Sequence, residues 1–206
     1  MKNYISVIYQ YYPRNLPWGT YAYQQSAEYR KYKETACHFQ ENPPLDFYDV
    51  LKKGLPYFSI LDWCNFDLYP DREYKILLAP DQPYLDDDQA LFQRLAGTVD
   101  ELIVFVSPLL PVFYLLEQHT CQTAEWYIFT NQATSDRTEE VKNAVRKTFR
   151  AFGYQEITYQ EASQIIPAVC TELKNTGQAS VFDCLFEDGV TICPDFFKKV
   201  KRSVVK

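Results

Sequence analysis

The chain has 206 residues, is 47% hydrophobic and 17% aromatic, and carries a formal net charge of −6. That length supports one sizeable core, and a charged share of 23% excludes disorder over most of it. No stretch approaches the roughly 18 continuous apolar residues of a membrane-spanning helix, and the acidic balance argues against a nucleic-acid binder.

The first segment, "NYISVIYQYY" over residues 3–12, is β-branched and aromatic. It predicts a strand closed by Pro13 and Pro17. It lacks the apolar run ending in small residues that marks a secretory signal. The six cysteines, Cys37, Cys64, Cys121, Cys170, Cys184 and Cys193, therefore read as reduced thiols of a cytoplasmic protein. Residues 20–40 place Tyr29, Tyr32, Ala36 and Phe39 at helical spacing, and Pro43 and Pro44 end that helix. Asp46 then caps a short helix that stops at Gly54.

Residues 56–63 read as a strand or an irregular piece. "EYKILLA", 73–79, predicts a strand stopped by Pro80, and Asp86 to Gly97 a short helix. "ELIVFVS", 101–107, is a continuous apolar run that suits a strand buried on both faces. Residues 112–117 fit strand or helix, and "EWYIFTN", 125–131, is a strand. Asp136 starts the clearest helix, with Glu139 at the capping-box position. Val141, Ala144, Val145, Thr148, Phe149 and Phe152 form its apolar face, and Gly153 ends it. Thr158 with Glu161 repeats the box. "SVFDCLFED", 180–188, predicts a late strand, and the segment after Pro194 a helical end. Strands and helices interleave without repeat or linker. The expectation is an α/β or α+β single domain over 1–206, a mixed β-sheet covered by helices.

Chemical signatures are sparse. With six glycines there is no G-x-G-x-x-G and no P-loop, so the usual phosphate cradles are missing. The two histidines, His38 and His119, lack the paired spacing of a structural zinc site, and no local signature supports a Cys37–His119 nucleophile pair. Asp183, Glu187 and Asp188 offer oxygen ligands for a divalent cation, outside any EF-hand pattern. The residues imply no catalytic set, no metal and no cofactor. A hydrolase working through carboxylates or a metal, and a structural or scaffold subunit that self-associates through exposed aromatics, stay open as alternatives.

Charge is unevenly placed. Residues 62–88 hold Arg72 and Lys75 against Asp62, Asp67, Asp71, Glu73, Asp81, Asp86, Asp87 and Asp88. Two bases against eight acids give that segment −6, as large as the deficit of the whole chain. Such a field repels nucleic acid and speeds encounter with a basic protein. Tyr69, Asp71, Tyr84, Asp86, Asp87 and Asp88 supply charge and rigid contact area, and are the candidate partner-binding residues. Residues 198–206 form a short basic tail, expected to be solvated or frayed.

"VSPLLPVFYLLE", "EASQIIPAVCTEL" and "SVFDCLFED" occur in an order that resembles cytosolic immunity proteins of bacterial polymorphic toxin systems, over residues 101–188. The resemblance implies a small α/β body without an active site that binds a secreted toxin domain. It also implies that the acidic segment mimics a substrate's charge and plugs a basic cleft on the toxin.

Overall fold

The computed structural model describes residues 4–66, 69–85 and 88–202, with Asp88 described by its backbone alone. Its helices are α1 (Tyr4–Ile8), α2 (Tyr21–Gln25), α3 (Ala27–Glu41), α4 (Phe47–Gly54), α5 (Asp88–Arg94), α6 (Thr138–Ala151), α7 (Tyr159–Ala162) and α8 (Val181–Leu185). Its strands are β1 (Ile60–Asp62), β2 (Arg72–Leu77), β3 (Thr98–Val106), β4 (Val112–Gln122), β5 (Trp126–Thr130), β6 (Gln155–Glu156) and β7 (Phe197–Lys201).

One sheet carries the molecule, in the order β1-β2-β3-β4-β5-β7. All neighbours on that path are antiparallel; β6 joins the start of β4 in parallel, at Val112↔Gln155 and Phe113↔Glu156. The sheet is therefore mixed and covered by helices, an α+β arrangement as expected. The register of β2, β3 and β4 explains both layers, because side chains alternate across a strand. Tyr74, Ile76, Leu102, Val104, Val106, Phe113 and Leu115 face α4 and α6, where they meet Phe47, Leu51, Val141, Val145 and Phe149. Ile103, Phe105, Tyr114 and Leu116 point the other way, toward Tyr4 and Ile8 of α1 and Phe182 and Leu185 of α8. Further along that second face, Leu77 and Val99 pack with Leu91 and Phe92 of α5.

Local signals explain several elements. Asp46 accepts from the Asp49 amide at 2.9 Å and starts α4. The end of α4 approaches α6 so closely that a Cβ on Gly54 would lie 2.8 Å from Thr148 Oγ1. Thr158 and Glu161 form the expected reciprocal cap of α7. β3 is buried from Leu102 to Val106 on both faces.

Four expectations are corrected. Residues 4–8 form a helix rather than a strand, because Tyr4 and Ile8, one turn apart, are both buried against α8 and the sheet. Residues 181–185 are also a helix. The Asp183 amide donates to Ser180 Oγ at 3.2 Å, and Asp183 Oδ2 accepts from the Ser180 amide at 2.7 Å, a capping box that the strand reading overlooked. α6 begins at Thr138 without a side-chain cap; Glu139 instead bridges to Lys142 at 2.9 Å. The segment after Pro194 becomes the edge strand β7, pairing with β5 from Thr130↔Phe197 to Trp126↔Lys201. The first part of the basic tail is thus strand, with Lys199 Nζ 4.3 Å from the Trp126 ring centre. Lysines on an edge strand discourage pairing with another chain.

Among the described residues, no helix is long and apolar enough to cross a membrane. All six cysteines are free, Cys170 and Cys184 being buried.

Candidate functional site

The second face of the sheet is only half covered. α1 and α8 close one end and α5 the other; between them lies an open trough. It follows from the strand alternation, which buries Tyr74 and Ile76 under α4 and turns Glu73 and Lys75 outward. One part of the trough has a volume of about 480 Å³ and is lined by Tyr69, Asp71, Glu73, Lys75, Glu187 and Lys198, among others. The adjoining part, about 450 Å³, is lined by Tyr84, Phe92, Glu101, Thr120 and Tyr127, among others. Trp63, Lys75, Gln118 and Phe129 border both.

The carboxyls here are poorly compensated. Asp71 is only 3% exposed, and its Oδ2 has no hydrogen-bond partner among the described residues. Burial pushes its pKa well above the carboxylate range, and the charges of Glu187 and Glu73 add to that. Burial, then Glu187, raises Glu73 to about 8, with Lys75 opposing. Burial, then Asp188, raises Glu187 to about 7, again with Lys75 opposing. Neither Glu73 nor Glu187 forms an ion pair within 4.0 Å with a described residue. Of the two lysines that line this part, Lys75 sits with Nζ 4.1 Å from the Trp63 ring centre.

The structure brings three of the six sequence-derived candidates to this trough. Tyr69 reaches its wall, so close to the 187–191 loop that a Cβ on Gly189 would meet its hydroxyl at 2.6 Å. Tyr84 donates its hydroxyl to Glu101 Oε1, fixing the 82–85 segment over β3. Asp71 is the third, with a correction: it is a buried acid at the trough wall rather than part of an exposed anionic loop, since the chain enters β2 directly after it. Asp86 and Asp87 lie outside the described residues, and Asp88 opens α5.

Sequence reasoning does not single out Glu73, Glu101, Glu187, Lys75 or Trp63 as partner-binding residues. A signal exists for two of them: Glu73 and Lys75 alternate with Tyr74 and Ile76 inside a strand, which marks a face open to polar surroundings.

The proposed cation ligands border one small cavity of about 40 Å³, but two of them are engaged by the chain itself. Asp183 is used in the α8 cap, and Asp188 Oδ2 accepts from the Leu173 amide at 2.7 Å. Glu187 alone of the three lines the larger part of the trough. Among the described residues, no group of three or more His, Cys, Asp or Glu side chains is arranged to hold a metal ion. His119 Nδ1 lies 2.7 Å from Asp100 Oδ1, and Asp100 also accepts from the amide and hydroxyl of Thr134 at 3.0 and 2.9 Å. That cluster ties the loop after β5 to the sheet. Cys37 sits elsewhere, exposed on α3 beside Glu41.

No known family model, curated protein or solved structure matches the chain.

Proposed function

We propose that the protein is a non-catalytic binding protein of the bacterial immunity type, which neutralises a toxin domain in the cytoplasm by docking an acidic, tyrosine-bearing face on that domain's basic surface. One observation carries this reading: Tyr69, Asp71 and Tyr84 of the acidic segment converge on a half-covered sheet face where Glu73 and Glu187 have no ion-pair partner among the described residues. A basic partner supplies the missing counter-charge. Asp86 and Asp87, together with Asp88, the first residue of α5, add long-range attraction that speeds encounter.

The test is co-expression with a toxin domain encoded beside this chain. The native chain protects the cell. The triple variant Asp86→Lys, Asp87→Lys, Asp88→Lys binds the toxin more slowly, and the deficit shrinks in high salt. An unchanged association rate removes this surface from the function.

A second reading has one observation in its favour. Two carboxyls held near neutrality in a cleft are what a general acid of a hydrolase requires. It predicts turnover of a glycoside or ester that Glu73→Gln or Glu187→Gln abolishes. Binding of the toxin with no turnover of such substrates decides for the first reading.

A further inference from the structure

Resting on the reading of the trough as the binding face, we propose that it receives an arginine side chain of the protein partner, whose guanidinium is held by Asp71, Glu73 and Glu187.

Three observations converge on this occupant. First, Asp71 Oδ2 is a buried acceptor at the trough wall without a partner among the described residues. An acceptor in that state is missing a donor. Second, the trough already accommodates a cation: Lys75 Nζ lies over Trp63 at 4.1 Å, yet no ion pair links it to Glu73 or Glu187. An aromatic face that takes an ammonium also takes the flat guanidinium, which stacks more readily. Third, the lining that holds the carboxyls also includes the apolar side chains of Ile103, Phe105, Leu116 and Phe129. They suit the methylene stem of a long cationic side chain, whose head continues to the acids.

Arginine fits this geometry better than the alternatives. A guanidinium presents several donors in a rigid fork and serves more than one carboxylate at once, where a lysine ammonium acts as a point charge. A metal ion is disfavoured by the lack of a three-ligand group among the described residues. The trough is also open, and its two parts of about 480 and 450 Å³ adjoin across the sheet. That shape admits a segment of a folded partner.

The charged and titratable groups around the site are Tyr69, Asp71, Glu73 and Lys75 at and before β2, Glu101 of β3, Glu187 and Asp188 after α8, and Lys198 of β7. Guanidinium entry favours the ionised form of Asp71, Glu73 and Glu187, so protons leave as it binds. Burial and mutual repulsion raise all three, Glu73 to about 8 and Glu187 to about 7, so these two glutamates are partly protonated in the free chain at neutral pH and supply the protons that are released.

The experiment is calorimetric titration of the full chain with a short arginine peptide, acetyl-Gly-Ser-Arg-Ser-Gly-amide, at neutral pH in two buffers of different ionisation heat. A citrulline peptide of the same sequence and free agmatine are the comparison arms. Expected is saturable binding of the arginine peptide with release of roughly 0.5 to 2 protons and none of the citrulline peptide. Asp71→Asn and Glu187→Gln each weaken it about tenfold or more, the loss of a charge-assisted hydrogen bond. Thermal unfolding of the two free variants confirms that they fold. No binding at roughly 10 mM peptide, far weaker than protein contacts of ordinary affinity, overturns the proposal. So do equal binding of the citrulline peptide, binding without proton release, affinity unchanged in both variants, or tighter binding of agmatine than of the peptide. If the arginine peptide fails while the Asp86→Lys, Asp87→Lys, Asp88→Lys chain still loses toxin binding, the arginine site falls and the immunity reading stands.

Discussion

Across β2, β3 and β4 the two faces of one sheet treat charge in opposite ways. Under α6, Arg146 holds Glu156 through Nε at 2.7 Å and Nη2 at 3.1 Å, and Lys142 bridges Glu117 and Glu139 at 2.7 and 2.9 Å. These pairs rim an apolar layer in which Phe149 meets Phe47, Phe113 and Tyr154 at ring separations of 4.8 to 5.9 Å. On the opposite face, Asp71, Glu73 and Glu187 sit half or wholly buried with mutual repulsion and a cation that rests on Trp63 instead. Uncompensated buried carboxyls reduce stability. The contrast teaches that both faces carry an apolar core, but only the first pairs its buried-edge charges, whereas the second leaves Glu73 and Glu187 without an ion-pair partner among the described residues.

The largest expected effect breaks the first face. Phe149→Ala removes a buried ring from the α4–α6 layer and costs about 3–5 kcal/mol, read by denaturant unfolding. It leaves the pH dependence contributed by the trough unchanged.

A smaller effect of opposite sign marks the second face. The native value of Glu73, about 8, lies above its ordinary 4.5, and that of Glu187, about 7, does too. For such groups the folded state binds more protons than the unfolded chain between the two values. Their stabilising contribution is full below about pH 4.5 and is lost as pH rises through 7 and 8. The Glu73→Gln, Glu187→Gln chain is therefore more stable than the native one at pH 8, by about 1–3 kcal/mol, and gains nothing of that size at pH 4.5. A gain equal at both pH values would erase the distinction between the faces.

Arg146→Ala runs the other way. It leaves Glu156 without its fork and costs about 1.5 kcal/mol, with a midpoint shift in urea. Lys75→Met sharpens the comparison within the trough itself. It removes the charge that opposes proton uptake by Glu73 and Glu187, so the window of declining stability still begins near pH 4.5 but ends at higher pH than in the native chain. Last, the Asp86→Lys, Asp87→Lys, Asp88→Lys change is expected to alter stability by less than about 0.5 kcal/mol, while its effect on association is large.

Parts of this were legible in the sequence. The strands at 73–79, 101–107 and 125–131 announce themselves as apolar or alternating runs between breakers, and the caps at Asp46 and Thr158 are local chemistry. Residues 3–12 and 180–188 misled because β-branched and aromatic residues there are buried on several sides of short helices, an outcome of tertiary packing that overrides propensity. In 180–188 the Ser180–Asp183 cap was the available clue. The acidic segment leads to the trough, but its charge density is not what builds that cavity. Its charge density marks 62–88, but the trough depends on strand pairing that sets Glu73 against Phe105 and Lys75 against Ile103, and on the loop after α8 that brings Glu187 to the same cavity. Burial of Asp71, similarly, depends on what covers the start of β2.

The most direct test of the central claim, that trough carboxyls wait uncompensated for a cationic partner, is a carbon-13 NMR pH titration of Glu73 and Glu187 in the free chain. The account predicts midpoints near 8 for Glu73 and near 7 for Glu187. Midpoints of both at about 4.3, the value of a solvated glutamate, would contradict it.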